Sequence, residues 1–267
     1  ENLTFNDAVV YNKGGNYGET YTGIIIGRCW DGSHVNNCHI TNSSVLGKDE
    51  VGGIVGRVYR RTIKTNTPDG QPQNLMERMA YVTYCTTDNN SVVKGEKMIG
   101  GIVGMNYGAI VGQCVNNADV FATTDIAGGI AGYSRSYTAK SDGYIIGCKS
   151  SADATITSDV YAGGIVGQVY QDTKHYYTRS WVVGCVSESK IVAAKPATMI
   201  GYSSNATVTA CWAVKNGANV IANDAKYTYI NNEASFQYDA ATDATQDDIN
   251  AMNAAIEAFN ASPDNIS

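Results

Sequence analysis

Proline occurs four times in 267 residues, phenylalanine four times, and charged side chains make up only 16% of the chain. No apolar run approaches the length of a membrane helix, so no direct membrane span is expected. The 19 basic residues are outnumbered by 25 acidic ones, giving a net charge of -6, and no basic tract or basic face is visible. That balance argues against nucleic acid or an anionic membrane surface as a partner. The one basic cluster, Arg57, Arg60, Arg61 and Lys64, reads as part of a solvated loop. There is no close C-x-x-C pair, so a zinc centre is not expected. The seven cysteines are odd in number and follow a repeat, which favours free buried thiols over a disulfide framework. His34, His39 and His175 do not form a ligand set or a catalytic triad by spacing. No calcium-loop motif is present, and no cofactor is expected.

Glycine (28) and tyrosine (18) are abundant, with Asn, Ser, Thr and Asp filling much of the rest. The glycines are not scattered. Gly52-Gly53-Ile54-Val55-Gly56 returns as Gly100–Gly104, Gly128-Gly129-Ile130-Ala131-Gly132 and Gly163–Gly167, with degraded copies at Gly23–Gly27 and Met199-Ile200-Gly201. These motifs lack a following helix and a lysine at the proper place, so they are architecture and not phosphate loops.

A second landmark alternates with the first. Cys38, Cys85, Cys114, Cys148, Cys185 and Cys211 each end a short apolar stretch. From the first five of them, the next motif closes 18, 19, 18, 19 and 16 residues later. From a motif's last glycine to the next cysteine the distances are 11, 29, 10, 16, 18 and 10. One half of the repeat is held nearly fixed while the other half stretches.

The minimal unit of about 28 residues contains three β-type runs, seen around Cys114 as Ala109–Cys114, Asp119–Ala122 and Ile126–Gly132. Val, Ile, Thr and Tyr fill the runs, and turn residues fill the gaps. No gap has the length or pattern for a crossover helix, which excludes a β/α barrel or doubly wound sheet. Stacked coils of parallel β-structure remain. In such a stack each inward position repeats at about the 4.8 Å strand spacing. Cysteine suits an inward column as a small, readily buried hydrophobe. The glycine pairs permit a tight corner or a close backbone approach.

The chain is thus expected to be all-β, with a solenoid over 1–230 and a C-terminal cap or linker over 231–267. Residues 1–22 read as an irregular opening that covers the first rung, sealed in part by Trp30. Loop inserts are placed at about 57–80, 133–143 and 168–180, all interrupting the same segment and therefore projecting from one edge. Asn219–Ala222 and Tyr227–Ile230 read as further strands. From Thr245 the period changes: Ile249, Met252, Ile256 and Phe259 make a helical stripe over 245–260.

At the Gly-Gly-Ile-Val-Gly segments, over roughly residues 23–214, the chain resembles the GLUG-motif repeats. Those occur in bacterial surface and secreted proteins, including adhesin-like proteins of Bacteroides-type bacteria and non-catalytic portions of some immunoglobulin-A-cleaving peptidases. The resemblance implies a right-handed parallel β-helix, export to the cell surface or beyond, and a role in adhesion. It brings no catalytic residues with it.

The expected function is a non-enzymatic extracellular adhesin-like or surface-binding module, monomeric, recognising a glycan or a cell-surface protein. Tyrosine supplies rigid amphipathic contact area, and loops on a rigid frame commonly carry recognition. The candidate contacts are Tyr59, Arg60, Arg61, Tyr133, Arg135, Tyr137, Tyr170, His175, Tyr176 and Tyr177. Tyr59, Tyr107 and Tyr170 each stand three residues past a closing glycine, a spacing that also suits simple packing over a corner. Two alternatives stay open. One is a carbohydrate-active enzyme, for which the sequence offers only the column Asp49, Lys97 and Asp125 before successive glycine pairs. The other is a structural spacer of a larger surface protein.

Overall fold

The computed structural model describes residues 1–14, 20–60, 79–135, 143–170, 180–203, 206–214, 219–221, 236–238, 250, 253, 254 and 257. Every strand pairing among them is parallel, and each strand pairs with its counterpart one coil away, as in Val82 with Val35 and Val111. The chain is a parallel β-helix.

A coil has five strands, not three. One coil runs through Tyr81–Thr83, Thr86–Thr87, Val92–Gly95, Ile99–Gly100 and Val103–Tyr107. The next repeats it as Ile110–Gly112, Val115–Asn116, Asp119–Ala122, Ile126–Gly128 and Ala131–Arg135. The extra strands arise because the cysteine is a corner, not the end of a strand, and because the glycine pair is a bend within an apolar run. First strands form one sheet, second strands another, and the remaining three join in a large sheet. Later coils straighten: Thr155–Gly163 fuses the third and fourth strands, and Lys190–Ser203 fuses the third, fourth and fifth.

The core is one column set. Val35, Val82, Val111, Ile145, Val182 and Val208 stack from first strands; Ile54, Ile102, Ile130, Ile165 and Met199 stack from the bends. Identical or near-identical neighbours at the strand spacing let apolar surface be buried continuously along the axis.

The cysteine corner has a local cause. The residue before each of the six corner cysteines has a left-handed backbone: Asn37, Tyr84, Gln113, Gly147, Gly184 and Ala210, with φ between 49° and 61°. That conformation turns the chain sharply and aims a backbone N–H at the next coil, as in Tyr84 N to Gly112 O at 3.1 Å and Gln113 N to Ile146 O at 2.8 Å. All seven cysteines are free and buried. The Cys114 thiol donates to Val82 O at 3.5 Å and Gly112 O at 3.3 Å; Cys148 and Cys185 repeat the pattern one coil on. Burial pushes the Cys114 and Cys185 thiols well above the ordinary range, whereas hydrogen bonds with neighbouring thiols of the column pull Cys85 and, against its burial, Cys148 below it.

The glycines of the repeated motif answer to backbone contact and not to positive φ. A Cβ on Gly100 would lie 2.0 Å from Val103 O and 2.5 Å from Gly132 N; one on Gly104 would lie 2.5 Å from Val51 N. The second glycine of each pair packs against the residue two past a cysteine: Gly53 on Ile40 and Thr87, Gly101 on Asn116, Gly129 on Ser150, Gly164 on Ser187. Cysteine corner and glycine bend therefore touch across the coil, which fixes the length of chain between them.

The N-terminal segment departs from expectation. Thr4–Asn6 and Val9–Tyr11 pair in register with the following coil, so they are a rung of the stack and not an irregular cover. Leu3 and Phe5, which occupy inward columns, are 44% and 38% exposed at that end. At the other end Asn219–Ile221 and Phe236–Tyr238 continue the parallel pairing, past the boundary expected near residue 230. Tyr227–Ile230 lie outside the described residues. Within the expected helix over 245–260, Asn250, Asn253, Ala254 and Glu257 are helical and exposed, one face at helical spacing; the rest of that segment is outside the described residues.

Candidate functional site

The fifth strand of each coil alternates buried and outward side chains. In register, its third position reads Arg28, Arg57, Met105, Tyr133, Gln168 and Tyr202, and its fifth reads Trp30, Tyr59, Tyr107, Arg135 and Tyr170. Both positions face outward, so two parallel columns run along one side of the solenoid.

The columns are in contact. Trp30 meets Tyr59 edge-on at 6.5 Å between ring centroids, and Tyr59 meets Tyr107 at 5.0 Å. The Arg135 guanidinium lies 4.8 Å from the Tyr107 centroid and 5.9 Å from that of Tyr170. Tyr133 stacks with Tyr170 at 6.5 Å. Five coils thus share one aromatic–arginine ladder, its members held by ring quadrupoles and cations at the strand spacing. The faces of the inner rings are spent on each other. Trp30 (45% exposed) and Tyr170 (36%) present the larger surfaces, at the two ends of the ladder. Burial raises the Tyr133 hydroxyl above the usual tyrosine range, partly offset by Arg135, so it remains a neutral donor.

The rim is formed by the fourth strands. Tyr21 and Glu50 are register partners there. Glu50 is fully buried and takes a two-pronged pair from Arg57; Arg57 also covers the Tyr21 ring at 4.4 Å. Just before the rim, the Lys97 ammonium lies 3.4 Å from an Asp49 carboxylate oxygen, and desolvation raises the Asp125 carboxyl, with Lys97 opposing it. That column exists as read from the sequence, in the form of stacked opposite charges.

Of the ten sequence candidates, Tyr59, Tyr133, Arg135 and Tyr170 come together on the ladder. Arg60 does not reach the surface: it is 5% exposed, and its backbone N–H donates to Tyr107 O at 2.9 Å. Arg61, Tyr137, His175, Tyr176 and Tyr177 lie outside the described residues. Tyr21, Arg28, Trp30, Arg57 and Tyr107 belong to the ladder and were not among the candidates. Trp30 does not seal the end of the coil; it starts the outward column. The signal was available, since Trp30 and Arg135 stand three residues past Gly27 and Gly132, as the tyrosines do past theirs.

The inserts leave and re-enter at one corner. Residues 61–78, 136–142 and 171–179 each separate a fifth strand from the next first strand, and the flanking strands are paired in register. The outer side of those first strands carries a second apolar cluster: Met79, Tyr144, Ile146 and Val183, with Tyr81, Ile110 and Trp181 against it. His34 and His39 have ordinary partners. His34 meets the Tyr81 ring edge at 4.7 Å, and His39 hydrogen-bonds Thr86 and Asn37. Among the described residues no group of three His, Cys, Asp or Glu is placed to hold a metal, and no helix is long and apolar enough to cross a membrane.

Fold and ladder together define the class: a parallel β-helix that carries an aromatic–cationic stripe on one outer side. Its backbone is similar to the crystal structure of a putative immunoglobulin A1 protease from Bacteroides ovatus, with a TM-score of 0.57 and 19% sequence identity over 89% of this chain. The chain spans 64% of the length of that protein. At that identity the likeness is one of fold. No protein-family model matches the chain, and comparison with curated proteins finds no match.

Proposed function

We propose that this chain is a non-enzymatic, extracellular binding module of a bacterial surface or secreted protein, and that it recognises a glycan along the aromatic–arginine ladder. The observation that carries this reading is the ladder itself: five consecutive coils place Trp30, Tyr59, Tyr107, Arg135 and Tyr170 in one outward register column. A linear saccharide presents repeating hydroxyls and apolar ring faces, and a repeating row of phenol hydroxyls, ring edges and an exposed indole is complementary to such a chain. Kinship with GLUG-repeat adhesins, export to the cell surface and a monomeric state belong to the same proposal. The immunoglobulin A1 protease named for the structural neighbour suggests a setting in a larger secreted protein, with this portion binding and not cleaving. The thiols support that assignment, because each is buried in the stack and a nucleophile needs an exposed thiolate.

The test is a glycan and surface-protein array probed with three folded proteins. These are the wild type, a ladder variant (Trp30→Ala, Arg135→Ala, Tyr170→Ala) and an insert variant with 61–78 and 171–179 cut to the length of the connection at Gly108-Ala109. Glycan binding lost in the ladder variant and kept in the insert variant is the expected result. Binding lost only in the insert variant moves recognition to the insert edge, and no glycan bound by the wild type overturns the reading.

A further inference from the structure

Arg28 and Arg57 occupy the same register position one coil apart, yet their surroundings differ. Arg57 has a buried carboxylate from the fourth strand beside it, Glu50. The residue in Glu50's place one coil earlier is Tyr21. Arg28 accordingly has no ion pair and no hydrogen bond among the described residues, and its Nε is buried without a partner. Three rings hold it instead: Trp30 at 4.3 Å, Tyr21 at 5.1 Å and Tyr59 at 5.5 Å from the guanidinium carbon.

A guanidinium is a planar fork of five donors that is always charged, and it matches a carboxylate through two parallel N–H···O bonds. One coil on, at Arg57, this capacity is used internally on Glu50. At Arg28 the fork is oriented by aromatic faces that satisfy none of its N–H groups. Rings on three sides also lower the local dielectric, which strengthens any charge-assisted hydrogen bond that forms there. Beside it, Trp30 is 45% exposed. The arrangement offers a cation with unused donors next to a half-open indole, at the ladder's N-terminal end. We infer that Arg28, framed by Tyr21, Trp30 and Tyr59, is the subsite for the carboxylate of an acidic sugar whose ring rests on Trp30. The inference rests on the glycan reading above and narrows it to uronate-type saccharides. The acidic balance of the chain as a whole, -6, makes an arginine without an ion pair among the described residues a selective device. It rewards a local carboxylate without attracting polyanions over the rest of the surface.

The experiment titrates the whole chain with a galacturonate tetramer, its fully methyl-esterified form, a sulfated galactan tetramer and a polyglutamate peptide. Calorimetry and Trp30 fluorescence are followed at low and high salt, for wild type, Arg28→Gln, Arg28→Lys and Trp30→Ala. Thermal melting of each variant confirms the fold. The wild type is expected to bind the galacturonate at least about tenfold more tightly than the ester, the worth of one charge-assisted contact. Arg28→Gln abolishes that preference, Arg28→Lys restores only part of it, and added salt weakens it. Equal binding of acid and ester overturns the inference while leaving the glycan reading intact. So does acid binding unchanged in Arg28→Gln. Stronger binding of the sulfated tetramer overturns the carboxylate assignment. Binding of polyglutamate alone, or of none of the four, overturns the inference, and the glycan reading is then decided by the array alone.

Discussion

The arc from a cysteine to the glycine motif and the corner that follows the fifth strand are built on opposite terms. In the arc, nearly every residue touches the next coil. The thiol of Cys114 reaches the carbonyl of Val82, Gly101 abuts Asn116, and Gly104 abuts the backbone of Val51. A residue added there would flip the inward set of a strand outward or part the glycine from its neighbour. At the corner the number of residues between one coil's last strand and the next coil's first strand varies, from Tyr59 to Tyr81, Arg135 to Gly143 and Tyr170 to Ser180, while the flanking strands keep their register. Length is free there because no column depends on it. The outward ladder lies along the boundary between these regimes, rigid in its backbone and variable in its side chains. A binding surface built this way changes residue by residue, from Tyr107 to Arg135, without disturbing the coil beneath.

Substitutions can sharpen the contrast, and the largest effect falls in the arc. Gly100→Ala sets a Cβ 2.0 Å from a backbone oxygen, where no side chain can give way. A loss of about 3 kcal/mol or more is expected in chemical denaturation. Gly112 in the following coil is the control. Its added Cβ would meet nothing closer than 3.4 Å, the Thr83 methyl, so Gly112→Ala should be neutral or stabilising by about 0.5 kcal/mol. Equal effects at the two sites would break the argument that contact, and not glycine content, sets the repeat.

The cysteine column comes next. Cys114→Ala removes a fully buried thiol and leaves a void, for an expected cost of about 1–2 kcal/mol. Thiol titration should label none of the seven cysteines in the native protein and all seven in denaturant. Rapid labelling of the native chain would contradict the packed column. Gln113 holds a left-handed φ of 53° where two other coils have Gly147 and Gly184. Gln113→Gly should therefore raise stability by about 0.5–1 kcal/mol, measured by the same denaturation.

The smallest effect is one of pH. Burial raises the Asp125 carboxyl above its unfolded value, while Lys97 pulls it back. The folded state then holds that proton more tightly. The stability this gives is fully present below the ordinary aspartate range and is lost as pH rises through the raised value. Asp125→Asn should melt like the wild type near pH 3 and slightly higher at pH 7. A lower melting temperature at pH 7 would show the charge to be favourable in place.

The fold was legible because a stacked coil repeats its constraints. Six cysteines in phase with four full glycine motifs state the period, and parallel stacking follows from the absence of crossover helices. The strand count was less legible: a two-residue strand such as Thr86–Thr87 has no periodicity to read, and the left-handed corner before each cysteine is occupied by Asn, Tyr, Gln, Gly and Ala alike. The first rung was missed because Leu3 stands where later coils have cysteine, which removes the landmark. At the site, tyrosines three past a glycine were visible one by one. That they join Trp30 and Arg135 in a single column needed the register, and the register at Trp30 depends on a degraded motif. Arg28 was invisible for another reason: its distinction is a missing carboxylate, supplied to Arg57 by Glu50 from a different strand.

Side-chain oxidation by hydroxyl radicals, with and without the best glycan from the array, tests the assignment of recognition to the ladder most directly. Trp30, Tyr59, Tyr107 and Tyr170 should be protected together, while Tyr11 and Tyr84, 64% and 53% exposed on other faces, keep their reactivity. Protection at Tyr84 or Tyr11 with the ladder unchanged would contradict it.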